Sequence, residues 1–305
     1  MLHIFADPAD MQGDLLTVRG SEVNHIRNVM RLKPGDEVSV SDGVDEKEYR
    51  YGIEAFGNDP DGSETVQLRL RFVKDSDIEL PVDVYLFQGL PKGDKMDLIV
   101  QKCVELGVHE VIPVAMHRCV MKLDGAKAPR KVERWQKISA SAAMQSRRRI
   151  IPEITLPMSM RNAIGYAREH CDVCVLPYEL QEDDGSTKAL LESLALPTDS
   201  DTMEGTNAQM GAGTRGGANA EAVVDAEGTV NAKTGTDAKG TTTAAIPRKK
   251  SVAVFIGPEG GFEPEEVEAA REAGVKPISL GRRILRTETA GMTVLAWLIY
   301  ILEIS

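Results

Sequence analysis

With 305 residues, 42% of them apolar and 27% charged, the chain is long enough for two cores, or for one core with a sizeable insertion, and has the composition of a soluble globular protein. The start Met1-Leu2-His3-Ile4-Phe5 lacks the basic stretch and apolar run of a secretory signal. The longest apolar run, Val294 to Leu302, is short of the roughly 18 residues of a membrane span, so a cytoplasmic protein with no membrane partner is expected. The formal net charge of -11 excludes a uniformly basic nucleic-acid binder but not a local basic face, because cations cluster at Arg27, Arg31 and Lys33, at Arg147 to Arg149, and at Arg282, Arg283 and Arg286.

From Met1 to about Val73 the pattern is short and alternating, at Leu15 to Val18, Glu37 to Ser41, Tyr49 to Ile53 and Val66 to Phe72. Turn formers at Lys33-Pro34-Gly35-Asp36, Ser41-Asp42-Gly43 and Asn58 to Gly62 separate these runs, which fits a small β-barrel. After Pro81 apolar strands alternate with helices. Val82 to Phe87 leads to a helix over 95–106, Glu110 to Val114 to a helix over 130–146, and strands follow at Asp172 to Leu176 and Val252 to Ile256. This rhythm predicts an α/β domain with a mainly parallel sheet.

Between Thr198 and Ala245 there is no Leu, Ile, Phe, Tyr or Trp, so the segment 198–246 is expected to be a flexible low-complexity insertion. Cys103, Cys119, Cys171 and Cys174 are too sparse for a disulfide framework. The spacing Cys171-Asp172-Val173-Cys174 lacks a second pair of ligands, so reduced thiols and no metal are expected.

Two C-terminal stretches carry chemistry. The strand 252–256 ends in Gly257-Pro258-Glu259-Gly260-Gly261-Phe262, a turn whose glycines let a backbone approach a ligand beyond the carboxyl end of a parallel strand. A helix then starts near Glu263-Pro264. A tight connection without ligand also fits. A phosphate cradle fits poorly, because Glu259, Glu263, Glu265 and Glu266 would repel an anion and no P-loop lysine follows, so an uncharged or cationic ligand suits the turn better. The second stretch, Leu280 to Ala290, follows a strand at Pro277 to Leu280. Thr287 and Glu288 are expected to cap a last helix running from Ala290 to about Glu303, which is apolar nearly all round and needs burial on two sides.

These two loops resemble the methyl-donor loops of the SPOUT class of RNA methyltransferases, whose C-terminal chain threads a trefoil knot. More narrowly, Leu90-Pro91-Lys92-Gly93-Asp94-Lys95-Met96-Asp97, Gln101 to Val108, Arg134 to Ile138, Gln145-Ser146 and Gly257 to Phe262 resemble the RsmE family, in order along the chain from His25 to Ala296. Met144 and Arg147 depart from the family pattern, Met144 standing where a glutamate is usual.

The resemblance implies a PUA-like RNA-binding barrel over 1–74 and a knotted SPOUT methyltransferase domain over 80–305 that pairs as a homodimer through the knot helices. It also implies S-adenosylmethionine as donor and N3 of one uridine in 16S ribosomal RNA of the 30S subunit as target. By the same resemblance Leu176, Ile256, Gly257, Pro258, Glu259, Gly260, Gly261, Leu280, Gly281, Ile284, Leu285, Thr289 and Ala290 enclose the donor. Attack by a uridine nitrogen needs a cation beside the developing anion and an acceptor for the imide proton. Arg286 is the candidate cation, or else a brace paired to Glu288 or Glu259, and Glu288 is a candidate base or a helix cap. Arg27, Arg31, Lys33, Arg118 and Arg148 are candidate RNA contacts.

Overall fold

The computed structural model describes residues 1–123, 125, 127–182, 184–195 and 249–304. The insertion expected over 198–246 lies outside them.

Six strands build the first sheet: β1 (Leu2–Phe5), β2 (Met11–Gln12), β3 (Leu15–Val18), β4 (Glu37–Ser41), β5 (Lys47–Asn58) and β6 (Glu64–Asp75), in the order β1-β4-β5-β6-β3-β2. All neighbours are antiparallel except the parallel pair β1 and β4. The long β5-β6 hairpin closes where Gly62, with φ 87°, donates its N–H to the Asp59 carbonyl and Asp61 accepts the Ser63 N–H. Alternation points Tyr51, Ile53, Val66 and Leu68 into a core shared with Val38 and Val40. A short helix α1 (Ser21–Asn24) runs into a π-helical turn, His25–Val29, which buries Ile26 and leaves Arg27 outside.

The second sheet is parallel throughout. Its strands are β7 (Val82–Gly89), β8 (Glu110–Ala115), β9 (Glu153–Ile154), β10 (Met158–Ser159), β11 (Val173–Pro177), β12 (Lys250–Ile256) and β13 (Lys276–Ile278). The order is β10-β8-β7-β12-β11-β13, with β9 also on β8. The central strands β7 and β12 read as near-continuous apolar runs because both faces are covered, and Phe87 stacks on Phe255 at 4.5 Å. Helices α2 (Lys95–Glu105), α3 (Ala128–Ser146), α4 (Met160–His170), α5 (Ser186–Glu192), α6 (Pro264–Glu272) and α7 (Thr287–Ile299) complete the domain. Trp135 of α3 is buried against α2, where its indole N–H donates to Asp97 at 3.1 Å.

Three sequence expectations change. Helices α4 and α5 and strand β1 are present where the sequence pattern suggested no element. Helix α7 begins at Thr287, three residues earlier than expected, and neither Thr287 nor Glu288 caps it, since Arg286 holds the cap position without a side-chain bond. Arg148 is not an RNA contact: it is 3% exposed, pairs with Glu79 at 2.5 Å and donates to the carbonyls of Val104 and Val108. Its neighbour Arg149 is buried too, bonding Glu48 at 2.9 Å and Ser39 at 3.2 Å. Arg149 ties the segment after α3 to β4 and β5, Arg148 ties it to Glu79 and the end of α2, and only Arg147 of the trio is exposed, in the left-handed conformation that ends α3. Burial, then the charge of Arg149, pushes the nearby His3 down to about 4, so its imidazole is neutral at pH 7.

Candidate active site

The loops beyond the carboxyl ends of β11, β12 and β13 enclose a cavity of about 490 Å³. Parallel strands end side by side about 4.8 Å apart, so their loops converge on one place, the usual ligand position of an open α/β sheet. The volume suits a small molecule.

Glycine lets the turn that forms one wall of this cavity pack closely. A Cβ on Gly257 would lie 3.2 Å from the Phe262 ring, and one on Gly260 would lie 3.0 Å from the Arg118 Cβ. Gly261, with φ 70°, closes the turn through its N–H to the Pro258 carbonyl at 2.9 Å. These glycines therefore let the turn fold tightly against Phe262 and Arg118, where side chains would not fit.

Charged side chains tie the loops together. Lys95 Nζ reaches Glu259 Oε1 at 3.0 Å and Glu288 Oε2 at 3.3 Å, and the Lys92 N–H donates to Glu259 at 3.1 Å. The hydrogen bond to Glu259 raises Lys95 above its ordinary value. Burial alone would raise the Glu259 carboxyl, but hydrogen bonds from its own N–H, from Lys95 and from the Lys92 N–H outweigh it and hold it low. Thr287 donates its hydroxyl to the Gly257 carbonyl at 2.7 Å and accepts from Gln88 Nε2 at 2.9 Å, joining the ends of β7 and β12 to the start of α7.

Of the residues expected around the donor, Ile256, Gly257, Pro258, Glu259, Gly260, Gly261, Leu280, Gly281, Ile284, Leu285 and Ala290 line the cavity. Leu176 and Thr289 do not: Leu176 is buried in the sheet, and Thr289 lies on the exposed side of α7. Arg286 lines the cavity and is exposed, with no ion pair to a described residue; the carboxylates it could have braced face Lys95 instead. Lys95, Glu179 and Thr287 belong to the lining without having been singled out by sequence. A lysine in the Pro91-Lys92-Gly93-Asp94-Lys95 motif was the one visible hint.

Among the RNA candidates, Arg31 and Lys33 are exposed beside the π-helical turn, and Arg27 pairs with Glu64 at 2.7 Å. Arg118 stands at the cavity rim, donating to the Gly260 carbonyl at 2.9 Å and gripping Glu263 with two nitrogens. Met144 and Arg147 line no part of the cavity. No group of three or more potential metal ligands occurs among the described residues.

A parallel sheet whose glycine turn and C-terminal loop close one cavity, joined to a separate β-module, is the layout of an RNA-modifying enzyme. The RNA methyltransferase domain family matches residues 78–211 and 212–299, and the RNA methyltransferase PUA domain matches 18–55. Ribosomal RNA small subunit methyltransferase E of Bacillus subtilis is 31% identical over 94% of this chain and 91% of its own length. A Legionella pneumophila protein described as a methyltransferase, solved with S-adenosylmethionine bound, superposes with a TM-score of 0.65 at 26% identity, over 98% of this chain and 96% of its own. Ribosomal RNA small subunit methyltransferase E from Neisseria gonorrhoeae shares the fold at 22% identity and a TM-score of 0.67, over 99% and 98% of the two chains. The chain belongs to the ribosomal RNA small subunit methyltransferase E family.

Proposed function

We propose that the chain methylates N3 of a uridine in 16S ribosomal RNA of the small subunit, using S-adenosylmethionine held in the cavity between the Gly257–Gly261 turn and the 280–290 segment. The observation that carries this reading is the cavity at the carboxyl ends of β11, β12 and β13, walled by the tightly folded glycine turn and the 280–287 segment, with Glu179 and Glu259 as its carboxylates beside Lys95, Arg282, Arg283 and Arg286. The Legionella relative, with that cofactor bound, supports the choice of donor. Bound there, S-adenosylmethionine supplies an electrophilic methyl group on a sulfonium.

The chain's own residues do the rest. The turn and the Leu280–Leu285 backbone orient the donor, and orientation supplies much of the rate. Arg286, exposed and unpaired at the cavity, stabilises the negative charge that develops on the uracil ring. Glu288, the candidate base, stands just outside the cavity lining and faces Lys95 through Oε2, so acceptance of the imide proton by this residue would fall to Oε1.

The first 74 residues act as a PUA-like barrel that holds RNA through Arg27, Arg31 and Lys33, and residues 80–305 form the SPOUT domain, with 198–246 as an insertion. Membership of the family supports a threaded, trefoil-knotted C-terminus, and the apolar α7 supports a homodimer. An enzyme of the ribosome works in the cytoplasm.

Incubation of 30S subunits lacking the modification with labelled donor, followed by mass spectrometry of the 16S RNA, tests the reading. Methyl on uridine N3 is expected. Methyl on another nucleotide overturns the target, and no label from a chain that binds donor overturns the activity.

A further inference from the structure

Glu179 is the carboxylate of this cavity that the fold leaves free. Strand β11 lies beside β12 in parallel register, Val175 opposite Val254, so the chain leaving β11 at Tyr178 and Glu179 emerges beside the glycine turn leaving β12. The Tyr178 N–H is fixed to the Ile278 carbonyl at 3.0 Å, which anchors the residue before Glu179 to β13. From there Glu179 Oε1 comes within 3.2 Å of the point where a Cβ on Gly261 would stand. A ligand passing along the bare Gly261 backbone meets this carboxylate.

The other carboxylates are engaged. Glu259 and Glu288 face Lys95, and Glu263 is gripped by Arg118, the nearby cation at the rim. Glu179 itself has neither hydrogen bond nor ion pair with a described residue, its charge reaching Arg118 only through space, and is exposed to solvent. When a glycine turn follows one parallel strand and an acid stands beyond the end of the next, the acid is placed to take hydroxyl hydrogens from a nucleoside lying across the turn. Two carboxylate oxygens match two vicinal hydroxyls.

Resting on the donor assignment above, we infer that Glu179 accepts hydrogen bonds from the 2′ and 3′ ribose hydroxyls of the methyl donor and selects ribonucleoside donors. The residue holds the donor by its sugar, away from the methyl group.

Calorimetry on the full chain and Glu179→Gln tests this with three ligands: S-adenosylmethionine, 5′-deoxy-5′-methylthioadenosine, which keeps ribose and adenine but lacks the amino-acid group, and its 2′-deoxy form. Hydrogen bonds to a charged acceptor are worth about ten- to hundredfold in affinity. The variant is expected to lose that factor equally for S-adenosylmethionine and methylthioadenosine. Wild type should lose a similar factor on removal of the 2′ hydroxyl, and the variant little more. An unchanged melting temperature shows that the exposed side chain is not needed for folding. Equal affinities of variant and wild type overturn the inference, as does a loss for S-adenosylmethionine alone, which would assign Glu179 to the α-ammonium. Wild type that binds no S-adenosylmethionine overturns the donor assignment beneath it.

Discussion

At Gly261 two requirements meet: the backbone is left-handed at φ 70°, and the space beyond its α-carbon belongs to Glu179. Gly261→Ala carries a left-handed penalty of about 1–2 kcal/mol and puts a methyl group into the cavity, so donor affinity measured by calorimetry should fall tenfold or more. Lys95 makes a different prediction, because it joins two loops by charge. Glu259 is held low, so the link is intact above the ordinary glutamate value of about 4.3 and is lost as pH falls through the depressed value. Lys95 is raised, so its charge persists below about 10.4 and is lost only at higher pH. In Lys95→Met the burial that raises Glu259 loses its main side-chain opponent, and the acid limb of donor affinity against pH should move to higher pH. Arg286→Ala should lower kcat by about 100- to 1000-fold with donor affinity nearly unchanged, and a parallel loss of affinity would place the side chain on the donor instead. Gly257 to Gly261 were legible because glycines and a preceding strand are local. Lys95, Glu179 and Thr287 were not, since Lys92 meets Glu259 across a separation of 167 residues and Thr287 meets Gln88 across 199. A threonine and a glutamate before a helix read as caps until the Gly257 carbonyl claims one and Lys95 the other.

Among elements, the segment after α3 separates what a charge cluster says from what a fold does with it. Three consecutive arginines read alike in sequence, yet the left-handed turn at Arg147 directs the next two inward, onto Glu79 and Glu48. Removing one member of a buried pair strands the other charge, at about 3–5 kcal/mol. Arg148→Ala should therefore lose stability of that order in chemical denaturation. Arg31→Ala should do the reverse, leaving stability within about 0.5 kcal/mol while lowering the slope of RNA affinity against salt by about 1. The strands were legible from their period, because β5 and β6 alternate and β7 and β12 are apolar throughout. Helix α4 was not, as its start rests on one Ser159 side chain accepting the Asn162 N–H.

For the whole molecule, the two-sided apolar character of α7 predicts a partner surface. Its inner side, Val294, Leu295 and Leu298, is at most 1% exposed and packs toward α2 and β12. Its continuation leaves Tyr300 60% and Ile304 68% exposed, and Leu98 of α2 is exposed as well. By length and composition Thr287–Ile304 could cross a membrane, but insertion would pull its buried side out of the core at the cost of the apolar burial it supplies. A second copy would cover the outer side without disturbing the inner one, and a stable interface needs about 800 Å² per partner. A dimer is expected in sedimentation equilibrium, with Leu98→Glu and Tyr300→Glu together shifting it to monomer; a wild-type monomer at micromolar concentration would refute the pairing. Because α7 starts at Thr287, which lines the cavity, dissociation should also weaken donor binding, and a monomeric variant with full donor affinity would show that each cavity is complete within one chain.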